Sequence, residues 1–249
     1  MMSGKRWGYV VQFFCLLVFL GMSPFLIKMD GRKTMSVSSD SVRSQNVSDE
    51  VKPVVALTFD DGPNASSTPI LLDGLKERKV RATFFLIGEN VEKDENEKIV
   101  KRMYEEGHLI GNHTYTHCNL SKLETGEAKK ELEQTDTVIE KITGKQPVFV
   151  RAPYGELPVD SEQDLNRIYI GWTVDPLDWM TEDTGAVVKT VVEEINPGDV
   201  ILLHDCYPSS VQAAIRIVDL LQGKGYEFVT VDKLISDCAG GSMMVTVHR

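Results

Sequence analysis

Thr58-Phe59-Asp60-Asp61-Gly62-Pro63 sets two adjacent carboxylates at the end of an apolar run. The preceding residues 54–57 are Val, Val, Ala and Leu, which predict a short buried strand that the Gly-Pro pair ends. Neighbouring side chains on a strand point to opposite faces, so Asp60 and Asp61 can share one site with different roles. One can bind a metal ion while the other accepts a proton from water. Taken alone, such a pair is more often a solvated acidic turn, so its meaning depends on the rest of the chain.

The residues after position 51 alternate apolar runs with amphipathic stretches, which is typical of a parallel sheet wrapped by helices. The apolar runs predict strands at 54–59, 82–88, 108–112, 147–151, 168–174, 199–204 and 227–231. The amphipathic stretches predict helices at 67–79, 95–106, 125–142, 184–195 and 209–222. We therefore predict a single α/β domain over residues 51–238, followed by a tail at 239–249.

Polar side chains of chemical interest follow the predicted strands. They are Asp60 and Asp61 after the first strand, His113 and His117 after the third, Arg151 and Tyr154 after the fourth, Asp175 and Asp178 after the fifth, and His204 and Asp205 after the sixth. The carboxyl ends of parallel strands meet at one face of a barrel, where active sites are built. Solvated residues without a shared function would not follow this rule.

His113 and His117 are four residues apart, so one helical turn would put both imidazoles on the same side. With Asp61 they form a two-histidine, one-carboxylate set that leaves positions open for water and substrate. The alternative is a pair of structural histidines in a loop. The chain holds only five histidines, and three of them follow predicted strands, which favours a metal site.

His204 ends the apolar run 200–203, where a lone histidine is usually a satisfied core residue. Asp178 follows the neighbouring predicted strand and can orient the His204 ring and keep it protonated. Amide cleavage needs such a proton donor, because the departing amine must be protonated. A metal-binding pair of His204 and Asp205, as in a phosphohydrolase, is the alternative. That chemistry usually recruits more histidines than this chain can supply.

Five motifs occur in order along the chain, as TFDDGP at 58–63, HTYTH at 113–117, RAPYG at 151–155, DPLDW at 175–179 and LLHD at 202–205. On these motifs the chain resembles the polysaccharide deacetylase family, the NodB-homology domain of carbohydrate esterase family 4. The resemblance covers about residues 54–235. It implies a deformed (β/α) barrel of about seven parallel strands and one divalent metal ion, with zinc expected and cobalt or nickel as alternatives.

The resemblance also implies roles for individual side chains. The metal ligands would be Asp61, His113 and His117. Asp60 would be the general base, held by Arg151, and His204 would be the general acid, held by Asp178. These roles agree with the reading from the residues alone, in which a carboxylate base, a histidine acid and a metal ion jointly stabilise a tetrahedral intermediate.

Three further residues would contact the substrate if the resemblance holds. Tyr154 would offer its backbone N–H to the oxyanion, and Trp179 and Leu202 would wall a small pocket for the acetyl methyl group. The chain departs from the family pattern at Ala152, where proline is common. This change can loosen the loop that aims Tyr154.

The implied activity is removal of N-acetyl groups from N-acetylhexosamine residues of a surface polysaccharide, with peptidoglycan of the cell wall as the expected substrate. Chitooligosaccharides and O-acetylated xylan are alternatives, and a non-catalytic glycan-binding domain is a rival of another class. The intact base, acid and ligands argue against that rival. Residues after position 50 include 21 basic and 33 acidic side chains, a net charge of about −12, which excludes nucleic acid as a favoured partner. No obligatory protein partner is evident.

Lys5 and Arg6 precede an apolar run at 7–27 that contains no charged residue and is long enough to cross a bilayer. We predict an uncleaved signal-anchor at 1–27, which holds the protein in the cell membrane as a single pass. Residues 28–50 are polar and rich in serine, and they predict a flexible tether to an extracellular catalytic domain. A cleaved signal peptide, with secretion of the domain, is the alternative.

Overall fold

Seven parallel strands frame the domain in the computed structural model, which describes residues 52–93, 95–159 and 166–239. The strands are β1 (Val54–Asp60), β2 (Thr83–Leu86), β3 (Leu109–Asn112), β4 (Phe149–Val150), β5 (Ile168–Tyr169), β6 (Val200–His204) and β7 (Glu227–Val229). Their order is β5-β4-β3-β2-β1-β6, and β7 pairs with the first half of β1. The parallel α/β sheet predicted from the sequence is therefore confirmed.

The sheet curls until the chain that follows β5 meets β6. Val174 and Ile201 form an isolated parallel bridge. The N–H groups of Thr173 and Val174 both donate to the carbonyl of Val200, at 2.9 and 3.2 Å. This single bridge replaces a full strand pairing, so the curled sheet is irregular, as the expected deformed barrel requires.

Seven α-helices pack around the strands in the described part of the chain. They are α1 (Thr68–Glu77), α2 (Gly88–Val91), α3 (Asn96–Glu105), α4 (Thr125–Thr143), α5 (Thr184–Glu194), α6 (Pro208–Gly223) and α7 (Val231–Ala239). The five predicted helices are confirmed, with ends shifted by a few residues. The prediction missed α2, which is a single turn, and α7, whose first residue had been assigned to the last strand. Both are too short or too closely joined to a strand to show a clear helical period.

Strands β4 and β5 are shorter than predicted, and a buried arginine accounts for the end of β5. The sequence predicts strands at 147–151 and 168–174, but only Phe149–Val150 and Ile168–Tyr169 pair. The guanidinium of Arg151 donates to the carbonyls of Ile170 at 3.2 Å and Gly171 at 2.8 Å. These carbonyls therefore serve a side chain instead of a sheet ladder.

Side chains alternate between the two faces of β1, so that one face packs in the core and the other faces the site. Leu57 and Phe59 belong to the main apolar cluster under the helices, where Phe59 stacks on Phe84 with ring centroids 5.2 Å apart. Thr58 and Asp60 lie on the opposite face of the strand, and both contact the buried Arg151. The period of two therefore turns the Asp60 carboxylate into the curl of the sheet.

The predicted signal-anchor at 1–27, the tether at 28–50 and the tail after Ala239 lie outside the described residues. Within the described ranges, no helix combines the length and the apolar character needed to cross a bilayer. The membrane segment therefore stays a prediction.

Candidate active site

The predicted site residues gather at the carboxyl ends of the strands. Asp60 and His204 end β1 and β6 and are paired in register as neighbours. His113 directly follows β3, and Arg151 directly follows β4. Asp178 begins a 3-10 turn, Asp178–Met180, that follows the Val174 bridge. Residues that are far apart in the sequence thus meet at one edge of the sheet.

Two imidazoles converge on the Asp61 carboxylate. The Nε2 atoms of His113 and His117 lie 3.4 and 3.2 Å from Asp61 Oδ1. Among the described residues, these three form the one group of His, Cys, Asp or Glu side chains placed to hold a metal, with ligand atoms within 4.8 Å of one another. No hydrogen bond of normal geometry reaches the buried Oδ1 atom of Asp61. A cation held between these three side chains would satisfy this buried carboxylate oxygen.

The surroundings prepare all three side chains for a divalent metal. His113 Nδ1 lies 2.7 Å from the carbonyl of Arg151. A carbonyl only accepts, so Nδ1 carries a proton and Nε2 is the nitrogen that the neutral ring offers to a metal. Burial alone would raise the pKa of Asp61, but the imidazoles of His113 and His117 lower it below its ordinary value. Burial lowers the pKa of His117 against the attraction of Asp61. Carboxylate and neutral imidazole are the metal-binding forms, so these residues fit the ion.

Asp60 is clamped by a fully buried arginine. Arg151 Nη1 donates to Asp60 Oδ1 at 2.9 Å and to Thr58 Oγ1 at 2.7 Å, and the guanidinium lies 4.3 Å from the centre of the Phe85 ring. The other oxygen, Asp60 Oδ2, lies 3.8 Å from His113 Nε2. One oxygen is therefore fixed by the guanidinium, and the other faces the histidine cluster, where a base is needed.

His204 is held by both oxygens of Asp178. Its Nδ1 lies 2.8 Å from Oδ1, and its backbone N–H donates to Oδ2 at 2.8 Å. Burial alone would lower the pKa of His204, but the bond to Asp178 and the negative charges of Asp60 and Asp61 raise it to about 9. The imidazole is therefore protonated at neutral pH, with Nε2–H left for a reacting partner.

We expect deacetylation to lose activity on the alkaline side as His204 loses its proton. The folded-state pKa is about 9, so the acid form is present below that value and disappears above it. A dication on Asp61 repels the same proton, so the alkaline limb of kcat/KM should lie at or below this pH. Asp178→Asn removes the partner that raises the pKa and should move the limb to lower pH. Profiles of both proteins check this, and an unmoved limb would assign it to another group.

The three expected substrate contacts lie around this edge. Tyr154 is 66% exposed, and its hydroxyl lies 3.3 Å from His117 Nδ1. Trp179 is 53% exposed in the turn that also carries Asp178. Leu202 is buried two residues before His204 on β6, so it shares the same face of the strand. The structure thus brings all three to the site, two at the rim and one below it.

Left-handed backbone is concentrated in the loops of the site. Five non-glycine residues there have positive φ, namely Asp61 (71°), Thr114 (64°), His117 (58°), Tyr154 (63°) and Leu177 (53°). L-residues rarely adopt this region, and such strain tends to collect at functional sites, where the surrounding structure enforces it. The sequence carries no signal for it, since glycine is absent from all five positions.

The metal loop is positioned by a residue that no sequence motif marks. Glu131 lies on α4, and its Oε2 accepts the N–H groups of Tyr115 at 3.0 Å and Thr116 at 2.8 Å. Its Oε1 accepts from the hydroxyl of Thr116 at 3.1 Å. Helix α4 therefore holds the loop between the two histidines. Glu131 is 15 and 16 residues away from its two partners, and contacts at that separation leave no local pattern in the sequence.

Two aspartates at predicted strand ends have structural contacts instead. Asp175 Oδ1 accepts the N–H of Leu177 at 3.0 Å and so forms a turn. Asp205 is buried, and its Oδ2 accepts from Thr68 Oγ1 at 2.5 Å, close beneath Gly62. Burial raises the pKa of Asp205 to about 7. Asp205 does not join the cluster of Asp61, so the alternative of a His204–Asp205 metal pair finds no support.

Known proteins are similar to this chain in sequence. A family model described as polysaccharide deacetylase matches residues 48–170. A peptidoglycan-N-acetylglucosamine deacetylase of Bacillus cereus is 41% identical over 190 residues, covering 74% of this chain and 68% of that protein. The peptidoglycan-N-acetylmuramic acid deacetylase PdaC of Bacillus subtilis is 39% identical over 194 residues, which are 78% of this chain but only 41% of PdaC.

Solved structures extend the likeness to the fold. The structure of PdaC has a TM-score of 0.73 at 38% identity and covers 76% of this chain and 93% of that one. A family 4 acetyl xylan esterase from Clostridium thermocellum, in complex with a cobalt ion, has a TM-score of 0.70 at 32% identity, covering 75% and 92%. The fold and the site therefore define a metal-dependent hydrolase of acetylated glycans. This chain belongs to the polysaccharide deacetylase family, as its motifs predicted.

Proposed function

We propose that this chain removes N-acetyl groups from N-acetylhexosamine residues of peptidoglycan. The observation that carries the proposal is the pair of buried clamps beside Asp61, with Arg151 on Asp60 and Asp178 on His204. Together they supply a fixed base and a protonated acid within one cluster. Two relatives named as peptidoglycan deacetylases, at 41% and 39% identity, support this polymer as the substrate.

Asp61, His113 and His117 would hold a divalent metal, for which we propose zinc, with cobalt or nickel as alternatives. When bound, the ion supplies Lewis-acid stabilisation of the negative charge that develops on the acetyl oxygen. The backbone N–H of Tyr154 would add a hydrogen bond to the same oxygen. Trp179 and Leu202 would enclose the methyl group and favour an acyl group as small as acetyl.

Proton transfers fall to the two clamped side chains. Asp60 Oδ2 takes a proton from the attacking water, while Arg151 keeps Asp60 Oδ1 fixed. His204 Nε2–H then protonates the departing amine, and Asp178 holds the ring and stabilises its charge. The amine is a poor leaving group without this proton, so the acid is needed for an amide more than for an ester.

Acetate release from a panel of polymers tests the proposal. The purified chain should release acetate fastest from peptidoglycan, more slowly from chitooligosaccharide and acetylated xylan, and not at all in the presence of a chelator. Added zinc should restore activity after the chelator is removed. Fastest release from acetylated xylan would favour the esterase alternative, to which the Clostridium thermocellum likeness points. Binding of wall glycan without any acetate release would favour the non-catalytic rival.

We also propose that residues 7–27 anchor the chain in the membrane with the catalytic domain outside. The run is apolar and uncharged, and the tether that follows contains Lys28, Arg32, Lys33 and Arg43. Trypsin added to intact cells should therefore cut the tether and release an active domain. A cytoplasmic enzyme assayed in the same cells should stay uncut as the control. A domain that resists trypsin until lysis would place the catalysis inside the cell and remove wall glycan as the substrate.

A further inference from the structure

An open cleft lies directly beside the acid pair. It has a volume of about 570 Å³, which is within the range of roughly 300–1,000 Å³ that small-molecule sites occupy. Its lining residues come from the segment 178–184, which includes the first residue of α5, and from the start of α6 with the residue before it. Those that matter here are Asp178, Trp179, Met180, Glu182, Tyr207 and Gln212.

Large apolar side chains are exposed along this cleft. Trp179 is 53%, Met180 64% and Tyr207 40% exposed. The plane of the Tyr207 ring is inclined by 68° to that of the His204 ring, with centroids 6.3 Å apart. Exposed aromatic rings next to a reacting group offer flat apolar faces, and the C–H faces of a pyranose ring can stack on such faces.

The charged groups that line the cleft are acidic, which disfavours a negatively charged ligand. None of its described lining residues is Lys or Arg, and its acidic residues are Asp178 and Glu182. Asp178 is buried and bound to His204, whereas Glu182 is exposed and has no ion-pair partner among the described residues. A ring that carries a carboxylate would meet like charge here without a compensating cation. An uncharged ring would meet hydrogen-bonding groups from Glu182 and Gln212.

We propose that this Trp179–Tyr207 cleft binds an uncharged pyranose ring of the polymer and disfavours a ring that carries a carboxylate. The proposal rests on the proposed function, because His204 protonates an amine that is attached to a sugar. That sugar must lie next to His204, and the Tyr207 ring of the cleft lies 6.3 Å from the His204 ring. Tyr207 is thus a specificity-determining residue that acts on the glycan and not on the acetyl group.

Binding without turnover tests the stacking surface. The full-length chain in detergent, loaded with zinc and carrying Asp60→Asn to suppress hydrolysis, is titrated calorimetrically with the tetrasaccharide of N-acetylglucosamine. Adding Tyr207→Ala should weaken Kd roughly tenfold, as the loss of one stacked ring predicts. Tyr207→Phe keeps the ring and should stay within about twofold of the parent. Tyr104→Ala, an exposed tyrosine on α3, is the matched control and should change nothing.

Charge selection has its own experiment. N,N′-diacetylchitobiose should bind more tightly than the disaccharide of N-acetylglucosamine and N-acetylmuramic acid with its carboxylate free, a charge that is absent wherever peptidoglycan carries a stem peptide in amide linkage at that position. Glu182→Gln should narrow that difference by severalfold, because the repelling charge is gone. Equal affinity for the two disaccharides, or a difference that Glu182→Gln leaves unchanged, would overturn the charge selection.

Kinetics separate failure of the cleft from failure of the proposed function. With Asp60 intact, Tyr207→Ala should raise KM for the tetrasaccharide roughly tenfold and change kcat little, because the cleft holds the sugar and not the reacting atoms. If Tyr207→Ala releases acetate with unchanged KM and Kd, the cleft does not bind the sugar, and the proposed deacetylase function is unaffected. If Tyr207→Ala weakens tetrasaccharide binding but the parent chain releases no acetate, the cleft binds the sugar and the proposed deacetylase function is wrong.

Discussion

Asp60→Asn should lower kcat for N-deacetylation by roughly two to four orders of magnitude while the protein keeps its metal. Asparagine has the same size and can still accept from Arg151, but it cannot take a proton from water. Asp60 lies outside the set of Asp61, His113 and His117, whose ligand atoms are all within 4.8 Å of one another, and its Oδ1 is bound to Arg151. Rates of acetate release, with metal content measured on the same samples, check this expectation.

Asp61→Asn is the matched control for that experiment, since it makes the same chemical change one residue along the chain. Asp61 Oδ1 is the oxygen on which His113 and His117 converge, so this variant should lose metal affinity as well as activity. The two neighbours should thus differ in metal content although both are inactive. Equal loss of metal from both variants would show that the division of labour between Asp60 and Asp61 is wrong.

His204→Ala should damage N-deacetylation far more than hydrolysis of an activated acetyl ester. The amine must be protonated as it leaves, whereas the leaving group of an activated ester departs without a proton. We expect a loss of roughly two to four orders of magnitude on the amide, as for other general acids, and a much smaller loss on 4-nitrophenyl acetate. Rates for both substrates are measured on the zinc-loaded protein.

Stability must be followed in the same variants, because His204 is also a partly buried end of β6. A histidine that only completed the core would lose both activities in parallel with the melting temperature. Asp178→Asn should show the amide-selective pattern more mildly, since it weakens the support for the protonated ring. Equal losses on amide and ester in His204→Ala would remove this residue from the mechanism.

The positions of the central strands could be predicted because their hydrophobic pattern is local. The runs 54–59 and 199–204 correspond to Val54–Asp60 and Val200–His204 within one residue at each end. The strand predicted at 168–174 is shorter because Arg151 takes the carbonyls of Ile170 and Gly171. A side chain that reaches across the sheet leaves no trace in a local pattern, so this difference was not accessible.

The site residues were easier to predict than the exact bounds of the strands. Two independent signals identify them, namely their place after a predicted strand and the spacing of the motifs. What the sequence did not show is how the loops are held. Glu131 binds the loop between the metal-binding histidines from a helix that reads as an ordinary solvated one. Thr58 accepts from Arg151 inside a strand whose residues otherwise predict only burial. Both contacts join residues distant in sequence through side-chain geometry.

Asp61, His117 and Tyr154 combine a chemical demand with a conformation that suits glycine better. Glycine at any of these positions would ease the folded backbone. It would also delete a ligand or the ring beside it. Selection for expression yield therefore favours glycine at these three positions, whereas selection for turnover favours the residues that are there. A thermostable form of this domain has to gain its stability in the helices and strands behind the rim, and a library screened on solubility alone would drift towards inactive proteins.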